Sequence, residues 1–160
     1  MKIIALGAAL ALMASAAAWS EDTPPFAVSP PPGPGQPDTS NLVSLADIMS
    51  AAELRHIRLW YAARSKNWPL VGYEVDRIGE SLRRAAILYS NIPIEDIKAV
   101  VGPLAAMRDA AAARNIGKLA QGYAGLTSAC NSCHAHGGVG FIRIQSPTSS
   151  PFSDEDFDKQ

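Results

Sequence analysis

The sequence contains few of the residues that carry most catalytic and metal chemistry. Only two cysteines and three histidines occur among 160 residues, and aromatic residues make up 7% of the chain. A framework of several disulfides is excluded, because two cysteines can form only one. The net charge is −1, from 14 basic and 15 acidic side chains. Since the basic residues are also scattered along the chain, we expect no nucleic-acid-binding surface.

The sequence has no apolar run long enough to suit a membrane-spanning helix. The apolar run at residues 3–18 is shorter than the roughly 20 residues that a bilayer core requires. It follows the basic Lys2 and precedes the small-x-small sequence Ala18-Trp19-Ser20. This order is typical of a cleaved signal peptide. We therefore predict a signal peptide over residues 1–20, a periplasmic location, and no membrane insertion after cleavage.

Proline is concentrated just after this segment. Seven of the 15 residues at positions 23–37 are proline. Proline fixes φ and has no backbone N–H, so such a segment cannot join a helix interior or a central strand. We predict a Pro-rich disordered linker over residues 21–40, followed by a folded domain at residues 41–136.

The folded domain has the hydrophobic period of α-helices, and no stretch of it alternates for long enough to indicate a strand. A first helix is predicted over residues 43–65. A second begins at the N-cap Asn67, with Pro69 in its first turn, and ends near residue 90. The first helix carries one apolar stripe, formed by Leu45, Met49, Ala52, His56, Leu59 and Ala63.

Two more helices complete the domain. The third starts near Ile94, and Gly102-Pro103 either kinks it or divides it into two short pieces. Asn115 caps the fourth, which Gly137-Gly138 ends. Short connections between four helices predict an all-α, antiparallel four-helix bundle. The tail at residues 137–160 is predicted to be extended. We expect its apolar residues to dock on the bundle and residues from 153 onward to fray; the docking residues would be Phe141, Ile142 and Ile144.

Both cysteines lie in the sequence Cys130-Asn131-Ser132-Cys133-His134. Cys-x-x-Cys-His is the attachment signal for haem c. On a helix, positions i, i+3 and i+4 share one face, so both thiols can reach one porphyrin and the imidazole can reach its iron. We therefore predict one covalent haem c, with thioether bonds to Cys130 and Cys133 and with His134 as the proximal iron ligand.

Three other interpretations of the motif are weaker. A thioredoxin-like redox pair would begin a helix after a strand, whereas this motif ends a helix. A zinc site would need to crowd Cys133, His134 and His136 onto one ion together with Cys130. A disulfide between Cys130 and Cys133 would leave the adjacent His134 unexplained.

A capped helix that ends in Cys-x-x-Cys-His, at the end of a four-helix chain, resembles the cytochrome c-prime superfamily. Residues 54–60, 67–68 and 141–152 also resemble segments of small bacterial cytochromes of this type. The resemblance implies a haem held in the bundle and, where the iron is six-coordinate, a distal ligand from the first helix. One departure is the stop at Gly137-Gly138, because cytochromes c-prime usually continue the last helix beyond the motif.

His56 is the first candidate for the sixth iron ligand, because it lies in the middle of the apolar stripe of the first helix. Met49, two turns earlier on the same stripe, is the second candidate. A lone histidine on an apolar face is more often a hydrogen-bonded core residue, and an open iron site is the third alternative. We expect His136 to be exposed or near a haem propionate.

These features predict an electron-transfer cytochrome rather than an enzyme. The alternative is a five-coordinate, cytochrome c-prime-like protein that binds or senses NO or CO. The sequence implies a redox partner protein without indicating which one. It also leaves open the reduction potential and whether the mature chain is a monomer or a homodimer.

Overall fold

The computed structural model describes residues 43–158, so the predicted signal peptide and linker lie outside the described residues. Within this range the chain forms four α-helices and no strand. The predicted all-α four-helix fold is confirmed. No helix in residues 43–158 combines the length and the apolarity that crossing a membrane would require. The helices are α1 (Leu45–Arg64), α2 (Trp68–Leu88), α3 (Ile94–Ala112) and α4 (Ile116–His136).

Side-chain caps define where three of the helices begin. Ser44 and Asp47 form a capping box at α1: Ser44 Oγ accepts a hydrogen bond from Asp47 N at 3.1 Å, and the Asp47 carboxylate accepts one from Ser44 N at 3.3 Å. Asn67 and Asn115 cap α2 and α4 as predicted, each accepting from a backbone N–H of the first turn. These bonds satisfy donors that a helix leaves unpaired at its N-terminus.

Short turns make consecutive helices antiparallel. The α1–α2 turn contains Lys66 and the α3–α4 turn contains Arg114, and both residues adopt positive φ, of 57° and 51°. A residue in this left-handed region reverses the chain within a few positions. Since α4 also runs antiparallel to α1, the N-terminal end of α1 lies level with the C-terminal end of α4. That end of α4 holds the Cys-x-x-Cys-His motif.

The interior is formed by aliphatic residues from all four helices, and α3 and α4 approach each other closely. Pro103 and Met107 of α3 lie against Gly122 and Gly125 of α4; a Cβ at Gly122 would collide with the Met107 side chain. α3 is one continuous helix through Pro103, so the prediction of two separate pieces does not apply. The fully buried side chains include Leu59, Val71, Val75, Met107, Leu119 and Leu126.

The prediction for the first part of the tail is wrong for two residues. Phe141 is 83% exposed and Ile142 is 46% exposed, so neither packs on the bundle. Ile144 is half-buried. The reason is that hydrogen bonds to the backbone and to the Asn131 amide fix the conformation of residues 139–144. In this conformation Phe141 faces solvent.

The end of the tail docks instead of fraying, at least as far as residue 158. Phe157 packs against the hydrophobic core, with its ring centroid 5.6 Å from that of Tyr61. Phe152 lies under the Arg58 guanidinium, 4.5 Å from it, and Glu155 accepts a hydrogen bond from Arg58 Nε at 2.8 Å. The acidic composition of this segment suggested fraying, but the two aromatic residues and an arginine on α1 anchor it.

Candidate functional site

Cys130 and Cys133 are both free and half-buried in the last turns of α4. Cys130 packs against the hydrophobic core, and burial, together with the charge of Cys133, raises the pKa of its thiol to about 11. Burial also raises the pKa of Cys133. A cysteine that attacks a disulfide needs a lowered pKa. The electrostatics of this pair therefore do not suit thioredoxin-like chemistry.

The His134 ring is held by the backbone of the tail. Its Nδ1 lies 2.9 Å from the carbonyl oxygen of Ile142. A carbonyl can only accept, so Nδ1 carries the proton and Nε2 keeps the free lone pair; the hydrogen-bond partner assigns this tautomer. Metal-binding histidines typically donate their second ring N–H to a carbonyl or carboxylate in this way. Nε2 is therefore the nitrogen of His134 that is left without this hydrogen bond.

The His136 side chain is directed toward α3. Its Nδ1 lies 2.8 Å from Asp96 Oδ1. The side chain is 63% exposed, in agreement with the prediction that this residue is exposed. Within residues 43–158, no three histidine, cysteine or acidic side chains are grouped to hold a metal ion. A four-ligand zinc site at the motif has no support here. A haem iron takes four ligands from the porphyrin and needs only axial ligands from the protein.

The motif continues a face of α4 that is turned toward α1. Tyr123, Thr127, Cys130 and His134 follow one another at intervals of four, three and four residues, which places them on one stripe. The first two of these contact α1, where the Tyr123 ring stacks on His56 with centroids 4.3 Å apart. We call this region, formed by His56, Trp60, Tyr123 and Thr127, the α1–α4 seam.

His56 is 4% exposed, and hydrogen bonds occupy both of its ring nitrogens. The Thr127 hydroxyl donates to the Tyr123 carbonyl at 2.9 Å, so its oxygen accepts from His56 Nε2 at 2.8 Å. In this tautomer His56 Nδ1 accepts from the Tyr123 hydroxyl at 2.9 Å, and the same hydroxyl also lies 3.2 Å from the His56 carbonyl oxygen. Burial lowers the pKa of His56 to about 4, which keeps the ring neutral. Iron ligation by His56 would require breaking its bond to Thr127.

The helical register places the other candidate, Met49, closer to the level of His134. His56 contacts Thr127 across two antiparallel helices. Seven residues back along α1 is Met49, and seven residues forward along α4 is His134; both steps cover about 10 Å along a helix axis. Met49 is half-buried and lies on the same stripe as His56. Met49 and His134 therefore occupy corresponding levels of the two helices.

The α1–α4 seam contains a buried donor without a partner. Trp60 Nε1 is buried and makes no hydrogen bond, while its ring lies 5.1 Å from that of Tyr123. A buried N–H without a partner costs about 1–3 kcal/mol. An apolar groove of about 170 Å³ adjoins Trp60, lined also by Leu59, Ala63, Ile116, Leu119 and Tyr123. The α1–α4 seam therefore contains a buried N–H that has no acceptor, and the side chains around Trp60 leave a groove unfilled.

Two arginines of α1 that could pair with a propionate are already engaged. Arg55 Nη1 lies 3.3 Å from Glu74 Oε2, and Arg58 pairs with Glu155. Glu74 is 2% exposed, and burial raises the pKa of its carboxyl despite the opposing charge of Arg55. These ion pairs join α1 to α2 and to the tail. Both arginines therefore already have a carboxylate partner within the protein.

The sequence did not predict the hydrogen bonds that Asn131 and His134 make with the backbone of Ile144 and Ile142. Asn131 Nδ2 donates to the Ile144 carbonyl at 2.8 Å, and Ile144 N donates to Asn131 Oδ1 at 2.8 Å. The only signal was indirect: an amide inside the motif, and a Gly-Gly stop close after it, which allows the chain to turn back.

The residues of the motif fit a haem bound through two thioethers. The two thiols are free and the His134 ring presents Nε2. Comparison of the chain with protein-family models, with curated proteins and with solved structures finds no match.

Proposed function

We propose that the chain is an exported, periplasmic c-type cytochrome that transfers electrons and has no enzymatic activity. Cys130 and Cys133 would hold one haem c through thioether bonds, and His134 Nε2 would bind its iron. The hydrogen bond from His134 Nδ1 to the Ile142 carbonyl carries the proposal, because it prepares this histidine for ligation beside the two free thiols.

The chain's own residues have defined tasks in this proposal. A bound haem supplies a one-electron Fe(III)/Fe(II) couple. The Ile142 carbonyl orients the imidazole of His134 and makes Nε2 a stronger donor. The hydrophobic core behind Cys130 limits the access of water to one side of the motif, and burial of this kind is one of the factors that set a reduction potential.

The fold supports a relation to the cytochrome c-prime superfamily. An antiparallel four-helix bundle with the haem motif at the end of the last helix is the arrangement expected from that resemblance. We propose this relation on the combination of fold and motif, since a four-helix bundle alone hosts many unrelated functions.

The identity of the sixth iron ligand decides between the two functional classes. A protein ligand favours electron transfer, whereas an open position favours the binding of NO or CO. The sequence pattern favoured His56, but the bonds of His56 to Tyr123 and Thr127, together with the helical register, favour Met49. A thioether sulfur is a soft ligand for haem iron, and histidine–methionine ligation raises the reduction potential. We propose Met49 as the distal ligand, with His56 as the second candidate.

The second candidate function is a five-coordinate protein that binds or senses NO or CO. It is favoured by the observation that His56 is already satisfied by hydrogen bonds within the bundle. If Met49 also served only as a packing residue, the iron would keep an open position.

Absorption spectra of the ferric and ferrous protein, with and without CO, test these alternatives in three chains. These are the wild type, Met49→Leu, which keeps side-chain volume, and His56→Gln. If Met49 binds iron, the wild type is low-spin and only Met49→Leu binds CO readily. If His56 binds iron, the wild type is low-spin and only His56→Gln binds CO readily. A high-spin wild type that binds CO at once would contradict both ligands and support the open site.

A further inference from the structure

The segment after α4 turns back along the last turns of that helix. Gly138 adopts φ +75°, and Val139 N then donates to the His134 carbonyl at 2.9 Å. Ile142 N donates to the Val139 carbonyl at 2.9 Å, which closes a compact turn. We call residues 139–144 the strap.

The strap is attached to the Cys-x-x-Cys-His motif at both ends. Val139 fixes its near end to the backbone of His134. Asn131 fixes its far end, because its amide group both donates to and accepts from the backbone of Ile144, at 2.8 Å in each direction. Between these two anchors, the Ile142 carbonyl lies 2.9 Å from His134 Nδ1.

We propose that Asn131 is a positioning residue for His134. By holding Ile144, it keeps the Ile142 carbonyl in place as the acceptor for His134 Nδ1–H, and so selects the tautomer that presents Nε2 to iron. The first variable position of Cys-x-x-Cys-His thus does more in this chain than separate the two thiols. The role of His134 toward iron rests on the proposed function, whereas the effect of Asn131 on the ring belongs to the chain itself.

The first test uses the haem-free chain, without its signal peptide, labelled with ¹⁵N. NMR at about pH 8.5, well above the reference pKa of histidine of about 6.5, reports the tautomer of each ring. The wild type should hold His134 as the Nδ1–H form. Asn131→Ala should shift the tautomer ratio about fivefold toward Nε2–H, the effect of one lost hydrogen bond. Asn131→Gln, which keeps the amide, should restore part of the ratio.

The matched control is Ser132→Ala, since Ser132 is the exposed neighbour of Asn131 within the motif. It should leave the tautomer unchanged. Ile144→Pro provides a second variant, because it removes the N–H that Asn131 accepts while leaving the motif intact. If the tautomer of His134 is the same in Asn131→Ala, Ile144→Pro and Ser132→Ala, the proposal is overturned.

The second test uses the exported protein after haem attachment. Asn131→Ala should shift the reduction potential from the wild-type value, and Ser132→Ala should not. Equal potentials in the two variants would contradict the positioning role even with haem attached. A chain that never acquires haem, yet shows the tautomer shift, would instead remove the proposed function and leave the role of Asn131 intact.

Discussion

Acid should destabilise the haem-free bundle through His56. The ring is neutral and buried between Tyr123 and Thr127, and burial lowers its pKa from 6.5 to about 4. In the unfolded chain the ring titrates near its reference pKa. Between pH 6.5 and 4 the unfolded state therefore binds a proton that the folded state does not. The stability due to a neutral His56 is complete above pH 6.5 and is lost as the pH falls toward 4.

The size of the effect follows from the difference between the two pKa values. Each pKa unit corresponds to about 1.4 kcal/mol, so the free energy of unfolding should fall by about 2 kcal/mol by pH 5 and by about 3 kcal/mol by pH 4. Glu74 acts in the opposite direction, because burial raises its pKa and protonation then favours the folded state. A variant at position 56 is needed to separate the two contributions.

Urea unfolding of the haem-free chain at several values between pH 7.5 and 4 measures these free energies. His56→Gln keeps a polar side chain that does not titrate, so the difference between wild type and variant should shrink as the pH falls. His136→Gln, which changes an exposed histidine, should retain most of the wild-type acid sensitivity. If His56→Gln and the wild type lose stability in parallel, His56 is not a buried neutral ring and the description of the α1–α4 seam is wrong.

Two further predictions concern the packing of the bundle and of its tail. Gly122→Ala should lower the free energy of unfolding by about 1–3 kcal/mol, because the new Cβ meets Met107. Gly72→Ala is the control: a Cβ there has open space around it and should stabilise α2 by about 0.5–1 kcal/mol. Urea unfolding checks both, and equal effects would contradict the close approach of α3 and α4. By the same measurement, Phe157→Ala should lower the free energy of unfolding by about 1–3 kcal/mol, because Phe157 packs on the core. Phe141→Ala changes an 83% exposed residue and should alter it by no more than about 0.5 kcal/mol. The reverse order would support the sequence-based prediction that Phe141 docks on the bundle.

The sequence was sufficient to predict the helices because their start and stop signals are local. Asn67 and Asn115 cap α2 and α4 through their own first turns, and Gly137-Gly138 follows the last residue of α4. The chemistry of the motif is also local, since Cys130 and Cys133 need only the spacing of a helix to share a face.

The contacts that join the helices and the tail could not be predicted, because they link residues far apart in the chain. The hydrogen bonds of His56 come from Tyr123 and Thr127, which only the pairing of α1 with α4 brings near. The apolar stripe showed that His56 faces inward, but it could not show which partners meet the ring. Similarly, Phe157 docks because Tyr61 and the core lie beside it, whereas the more apolar segment at Phe141 is turned outward by its backbone bonds.

Covalent attachment of one haem to the exported protein is the most direct test of the proposed function. The wild type and a double variant that carries both Cys130→Ser and Cys133→Ser would be exported from cells with an active cytochrome c maturation system. Denaturing electrophoresis with a haem stain and intact-mass spectrometry would then be applied to each. We expect the wild type to keep its haem through denaturation and to gain the mass of one haem, and the double variant to keep none. A wild-type chain that remains colourless under these conditions, with the mass of the processed polypeptide alone, would contradict the proposal.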